Sequence, residues 1–330
     1  MKMTGRGYLI LTKKLLLRTA YITGVVVFIF LATELFLRKA FGLGKPVLYY
    51  SYPLYGYRPK PDQDVTRFHG ARIQINNLGL RANQDWDSRT DDKILFLGNS
   101  VTYGGSMIDN NDLFSHLALN GLKDYKSGNG GVNGWGVENI HGLLVRAQFL
   151  PAQIYVSVIY EGDFYRGVSR IGSMPFWCKT PKLAMTELLY IFLYKLSSYR
   201  YIPWQNIASE KETAAVVNRA VDRLEEIDTF LEKENRRHLI YIHPRKDQAL
   251  GKESRDTLIS GAIANSGLDV CYMVDRLNKL NLTADEIDDL FYDHTHLTKA
   301  GHSKWGEIIN ADLKVLIARL DDSTTISQEQ

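Results

Sequence analysis

Residues Lys93-Ile94-Leu95-Phe96-Leu97-Gly98-Asn99-Ser100 decide the fold class. Four unbroken apolar residues, Ile94–Leu97, read as a short strand buried on both faces, and a glycine, an amide and a serine follow at once. Working outward, Ile154–Ile159, Leu239–Ile242 and Val270–Met273 repeat the apolar run. Between and after them lie helical patterns. Val216, Val217, Ala220, Leu224, Ile227 and Leu231 recur at three- and four-residue steps, and Leu313, Leu316 and Leu320 mark a closing helix. Strands alternating with helices predict a three-layer α/β/α domain on a parallel, flavodoxin-like sheet. Ligands of such sheets sit beyond the carboxyl ends of the strands, so the residues after each run are those to read.

Four segments stand there. Gly98-Asn99-Ser100-Val101 is followed by Tyr103-Gly104-Gly105, which exposes a serine where a nucleophile is useful. Asn129-Gly130-Gly131-Val132-Asn133-Gly134, after a short strand expected around Asp124–Ser127, could aim a backbone donor at an oxyanion. Tyr160-Glu161-Gly162-Asp163 follows the strand ending at Ile159. Asp293-His294-Thr295-His296-Leu297-Thr298 lies near the end, with Thr298 placed to cap the next helix. Each also reads as an ordinary structural turn. Asp293 orienting an imidazole would make a base for Ser100. Metal ligation by Asp293, His294, His296 and His302 is the rival reading, although no helical HExxH accompanies them. Which imidazole faces the serine stays open.

In their order, the segments resemble the SGNH (GDSL-type) hydrolase superfamily over roughly residues 93–320. The resemblance implies Ser100 as nucleophile, His296 as base and Asp293 as its orienting partner. It also implies an oxyanion hole of the Ser100 and Gly131 amides, and no cofactor or metal. The third block of the family carries an asparagine before its aspartate, but Gly162 precedes Asp163 here. Losing one oxyanion donor costs about 2.7–4 kcal/mol in the transition state. Asn99, Asn133 or a backbone amide is left to replace it, with Asp163 as a further substrate contact. Without a replacement the enzyme is slow, or the cleft is kept for binding.

The 330 residues are 45% hydrophobic and 23% charged, which excludes a disordered chain. The net charge is +3, but Lys2, Arg6, Lys13, Lys14 and Arg18 crowd the first twenty residues with no acid, leaving a slightly acidic body. Such a body does not suit nucleic acid. Residues 20–37 (AYITGVVVFIFLATELFL) are apolar except near Glu34, long enough for one transmembrane helix. An uncleaved signal anchor is favoured over a cleaved signal peptide, because the stretch ends in Glu34-Leu35-Phe36-Leu37-Arg38-Lys39 rather than at small residues. The basic flank puts residues 1–19 in the cytoplasm and the body outside the plasma (inner) membrane.

The expected organisation continues with a strand-and-loop collar over 38–90, its strand at Ala71–Ile75, and the hydrolase-like domain over 91–321. A helical insertion falls around 165–210 and a polar tail over 322–330. Within the insertion, Leu183–Tyr201 reads as a helix packed on the domain or as one resting on the bilayer. Cys178 and Cys271 read as two buried thiols, or as a pair in an oxidising compartment. The resemblance, taken with the apolar N-terminal stretch, implies a membrane-anchored serine esterase acting on acylated envelope polysaccharide or lipid. The alternatives are an O-acyltransferase with the same triad, or a non-catalytic protein that binds a glycan or partner.

Overall fold

The computed structural model describes residues 5–90, 92–149, 152–168, 176–198 and 210–328. Helix α1 (Gly5–Phe41) leads into two antiparallel hairpins, β1 (Tyr49–Tyr52) with β2 (Gly56–Pro59) and β3 (Gln63–Thr66) with β4 (Arg72–Ile75). After them each apolar run of the sequence becomes a strand of one parallel sheet. Its strands are β5 (Lys93–Gly98), β6 (Lys126–Asn129), β7 (Ile154–Tyr160), β8 (Arg237–His243) and β9 (Val270–Tyr272). Their order across the sheet is β6-β5-β7-β8-β9, all parallel, as in flavodoxin-like folds. The chain order reverses at β5, so the crevice for a ligand opens beyond the ends of β5 and β7.

Alternation along the strands separates two cores. Leu95, Leu97, Tyr155, Ile159, Ile240 and Ile242 face one side, under α4 (Val137–His141), α6 (Glu210–Lys233) and α8 (Thr257–Ala264). Ile94, Phe96, Ile154, Val156, Val158 and Tyr241 face the other. Covering them are α3 (Phe114–Leu117), α9 (Met273–Asn278) and α11 (Lys299–Gln328), which contributes Trp305, Ile309 and Leu313. The three-layer α/β/α arrangement is present. Backbone helix α11 runs through most of the expected polar tail. The short helices α2 (Ser100–Tyr103), α7 (Lys246–Ala249) and α10 (Ala284–Asp289) surround the crevice end, and α5 (Ala184–Ser198) lies beside α1. The rest of the expected 165–210 insertion falls mostly on residues 169–175 and 199–209, outside the described residues.

Strand β6 begins two residues later than the Asp124–Ser127 expected from sequence. Its residues, Lys126-Ser127-Gly128-Asn129, carry no apolar signal, because Gly128 leaves its place to Trp86. A Cβ at Gly128 would come within 2.5 Å of the Trp86 ring. The hairpins extend the sheet at this edge: Arg81 N donates to Asn129 O (2.8 Å) and Asn129 N to Arg81 O (3.1 Å). Tyr57, Ile73, Ile75 and Leu80 join the same core as Leu95 and Leu97. The collar is therefore packed into the domain.

Within α1, Thr12–Phe41 is long and apolar enough to cross a membrane, with 0% of its most apolar window buried. It outruns the 20–37 stretch of the sequence by one turn at its end. Cys178 and Cys271 are both free thiols, and Cys178 is exposed rather than buried.

Candidate active site

The turn after β5 is built around the absence of a side chain. A Cβ at Gly98 would strike Thr102 Oγ1 and the Val158 carbonyl, so only glycine lets α2 fold back against β7. Asn99 Oδ1 then caps α2 by accepting from Val101 N (2.7 Å), and Gly104, at φ +80°, closes it with an N–H to Ser100 O (2.9 Å). One turn of helix thus presents Ser100 at its first position. The glycine-rich segment braces it. Asn129 Nδ2 donates to Thr102 O (2.5 Å) and to Ser115 Oγ (3.1 Å).

Across the crevice, Asp293 folds its own loop. Its Oδ1 accepts from the amides of Thr295 (2.9 Å) and His296 (2.8 Å), and its Oδ2 from His296 Nδ1 (2.7 Å). Burial alone would raise the Asp293 carboxyl, but the His296 and Thr295 amides and the imidazole outweigh it and hold it below its usual range. Thr298 Oγ1 accepts from Gly301 N (3.1 Å), capping α11. With Asp293 occupying Nδ1–H, the network assigns Nε2 as the acceptor, and it lies 2.8 Å from Ser100 Oγ. Ser100 and His296, 196 residues apart in sequence, meet at one rim of the sheet. A cavity of about 460 Å³ opens over them, with His69, Met107, Ile108 and Tyr292 among its walls.

The other residues singled out from sequence are placed differently. Asn99 Nδ2 donates to both Asp163 oxygens (2.9 Å each), and both residues are buried. Asp163 also accepts from Tyr160 N (3.0 Å) and Arg166 Nη1 (2.6 Å). Burial nonetheless pushes its carboxyl up to about 6 against Arg166 and Asn99. These two side chains are spent on joining the turns after β5 and β7. Gly131 N–H donates to Asn129 Oδ1 (2.9 Å), and a Cβ there would meet Tyr103 N at 2.5 Å. Gly162 sits against the Tyr160 ring, where a Cβ would come within 2.5 Å. Asn133 borders a separate cavity of about 190 Å³ with Tyr49, Tyr103 and Trp177. His302 is buried, with Nδ1 accepting from Phe114 N (3.2 Å), and His294 offers its carbonyl to Lys246 N (2.9 Å). Among the described residues no three His, Cys, Asp or Glu side chains gather as a metal site.

Sequence reading missed two supports. Buried Arg81, from the collar, donates to Asn110 Oδ1 (2.8 Å) and to the carbonyls of Tyr103 (2.7 Å), Gly105 (2.7 Å) and Ile108. It holds the loop that walls the cavity. His243 ends β8 and donates from Nε2 to Thr295 O (2.7 Å). Its place directly after the apolar run Leu239–Ile242 was the available signal.

No protein-family model matches the chain, and no curated protein matches it. Among solved structures it is similar to a two-domain esterase active on acetylated mannans, at 12% identity and TM-score 0.40, covering 69% of this chain and 50% of that one. The chain spans about half the length of that esterase. A lipolytic protein of the G-D-S-L family from Veillonella parvula matches at 9% identity and TM-score 0.35, covering 67% of this chain and 96% of its own. A lipase/acylhydrolase from Enterococcus faecalis matches at 13% identity and TM-score 0.39, covering 67% and 95%. The solved structures it resembles in fold are thus described as an esterase, a lipase/acylhydrolase and a lipolytic protein of the G-D-S-L family.

Proposed function

We propose that the chain is a serine ester hydrolase, anchored by α1 in the plasma (inner) membrane with its body on the outer side. Ser100 attacks an ester carbonyl while His296 Nε2 takes the hydroxyl proton. The imidazolium, oriented and stabilised by Asp293, returns that proton to the leaving alcohol. Water, deprotonated by the same imidazole, then attacks the acyl carbon, and the acid leaves as the imidazolium returns the proton to Ser100 Oγ. Ser100 N–H, a first-turn amide of α2 with no acceptor inside the helix, would hold the developing oxyanion. Gly131 N–H joins it only when Asn129 Oδ1 releases it. Gly162 has no side chain to offer the oxyanion, and the room this leaves is filled by the Tyr160 ring.

One observation carries the reading: the unbroken Ser100 Oγ, His296, Asp293 chain, at 2.8 Å and 2.7 Å. The resemblance of the motifs favours acyl groups on envelope polysaccharide or lipid as substrate. A fluorophosphonate probe tests the nucleophile. Labelling at Ser100, lost in Ser100→Ala together with p-nitrophenyl acetate hydrolysis, is the expected result. Equal hydrolysis by Ser100→Ala would refute it.

A further inference from the structure

Helix α5 carries apolar residues on two sides, with buried Glu187 on the inner one. Ala184, Glu187 and Ile191, at steps of three and four, turn inward. Ala184 packs with Leu37 and Leu43, and Ile191 with Phe68 beside them. Glu187 pairs with Arg67 (2.5 Å) and accepts from Gly44 N (2.6 Å). The outer face carries Leu188, Leu189, Phe192, Leu193 and Leu196, between 44% and 61% exposed. A contiguous apolar helix face is ordinarily covered, and nothing among the described residues covers this one. Its fifteen residues rise about 22 Å, too little to span a bilayer.

The contacts with α1 fix the depth of α5. Glu34 accepts from the amides of Ala184 (2.7 Å) and Met185 (3.1 Å), and Arg38 donates to the Lys182 carbonyl (3.0 Å). Arg38 and Lys39 close the apolar stretch of α1, where a membrane-crossing helix meets the head groups. Exposed Lys39 follows Arg38 on α1, and exposed Lys182 is held to Arg38 through its carbonyl. We infer that α5 lies along the head-group layer of the outer leaflet, its outer face among the lipid acyl chains and the adjoining Lys39 and Lys182 against lipid phosphates. The body is thereby seated on the bilayer. This rests on the proposed anchoring through α1.

Spin labels in the full chain test both separately. With Cys178 and Cys271 replaced by Ser, single labels go on Leu193→Cys (α5), Phe28→Cys (α1) and Glu232→Cys (an exposed site on α6). The protein is reconstituted in phosphatidylcholine–phosphatidylglycerol vesicles. Oxygen should reach the labels at 193 and 28 better than a water-soluble nickel chelate does, and the order should reverse at 232. Leu189→Cys, one turn earlier on the same face, should repeat the result at 193. Nickel access at 193 and 189 equal to that at 232 overturns the seat. If 28 stays in lipid in that case, the anchor stands; if 28 is also in water, both readings fall. Lipid at 193 with water at 28 keeps the seat and removes the anchor.

Discussion

His243 Nε2 donates to the Thr295 carbonyl across 2.7 Å, so the loop bearing His296 is fastened to the carboxyl end of β8. Burial pushes the His243 imidazole down to about 4, which keeps it neutral and donating through a single tautomer. His243→Ala should release the loop and lower kcat for a short-chain ester by roughly 10- to 100-fold, the effect of a misplacement near 1 Å. KM should change little, and His243→Gln, which keeps a donor, should recover part of the loss. Steady-state kinetics on the three proteins decide it.

Asp293→Asn keeps an oxygen for the Thr295 and His296 amides but removes the charge behind the imidazole. The expected loss of kcat is on the order of 10³- to 10⁴-fold, with the melting temperature nearly unchanged. A matching fall in melting temperature would mean that Asp293 acts mainly by folding its loop.

Stability should depend on acid through three buried groups. His302 and His243 are held down to about 3 and about 4, by burial first, from an ordinary 6.5. Their neutral forms support the fold fully above pH 6.5, and that support is lost as pH falls toward the folded values, because the unfolded chain takes up protons the folded one refuses. Asp163 acts in the opposite sense. Raised to about 6 from 3.8, it supports the fold below 3.8, and this is lost as pH rises through about 6. Each group changes stability by about 1.4 kcal/mol per pH unit inside its window. His302→Gln should therefore flatten the fall in melting temperature between about pH 6 and pH 4, and Asp163→Asn should steepen it.

Arg81→Met should be costly far beyond its size. The substitution strands three carbonyls and the Asn110 amide oxygen in the interior, a loss of about 3 kcal/mol or more. Arg81→Lys should not rescue it, since one ammonium cannot reproduce the planar spread of donors. Urea midpoints measure the loss. Activity measured well below the midpoint shows whether the 104–108 wall also moves.

The parallel sheet was legible because β5, β7, β8 and β9 are apolar runs, buried wholly or in part. Strand β6 was displaced because its interior position is a glycine filled from outside by Trp86. Ser100, His296 and Asp293 stand in short motifs and Asp293 meets His296 within one loop, whereas the approach of Ser100 to His296 is set by the sheet. Arg81 and His243 left no motif. Their partners are main-chain carbonyls, and a donor aimed at a carbonyl places no demand on the residue type opposite it. Asn99 is not free to replace the missing amide, because it caps α2 and binds Asp163, and such obligations are visible only in three dimensions. The exposure of Cys178 was hidden for the same reason.

That Arg81 and His69 come from the hairpin region has a practical corollary. A version trimmed to begin at residue 91 would discard one wall of the cavity over Ser100 and the fastening of another, along with Tyr57 and Ile73 from the interior. A shortened protein that keeps this cavity and its interior intact has to start close to Leu43 and carry both hairpins with it.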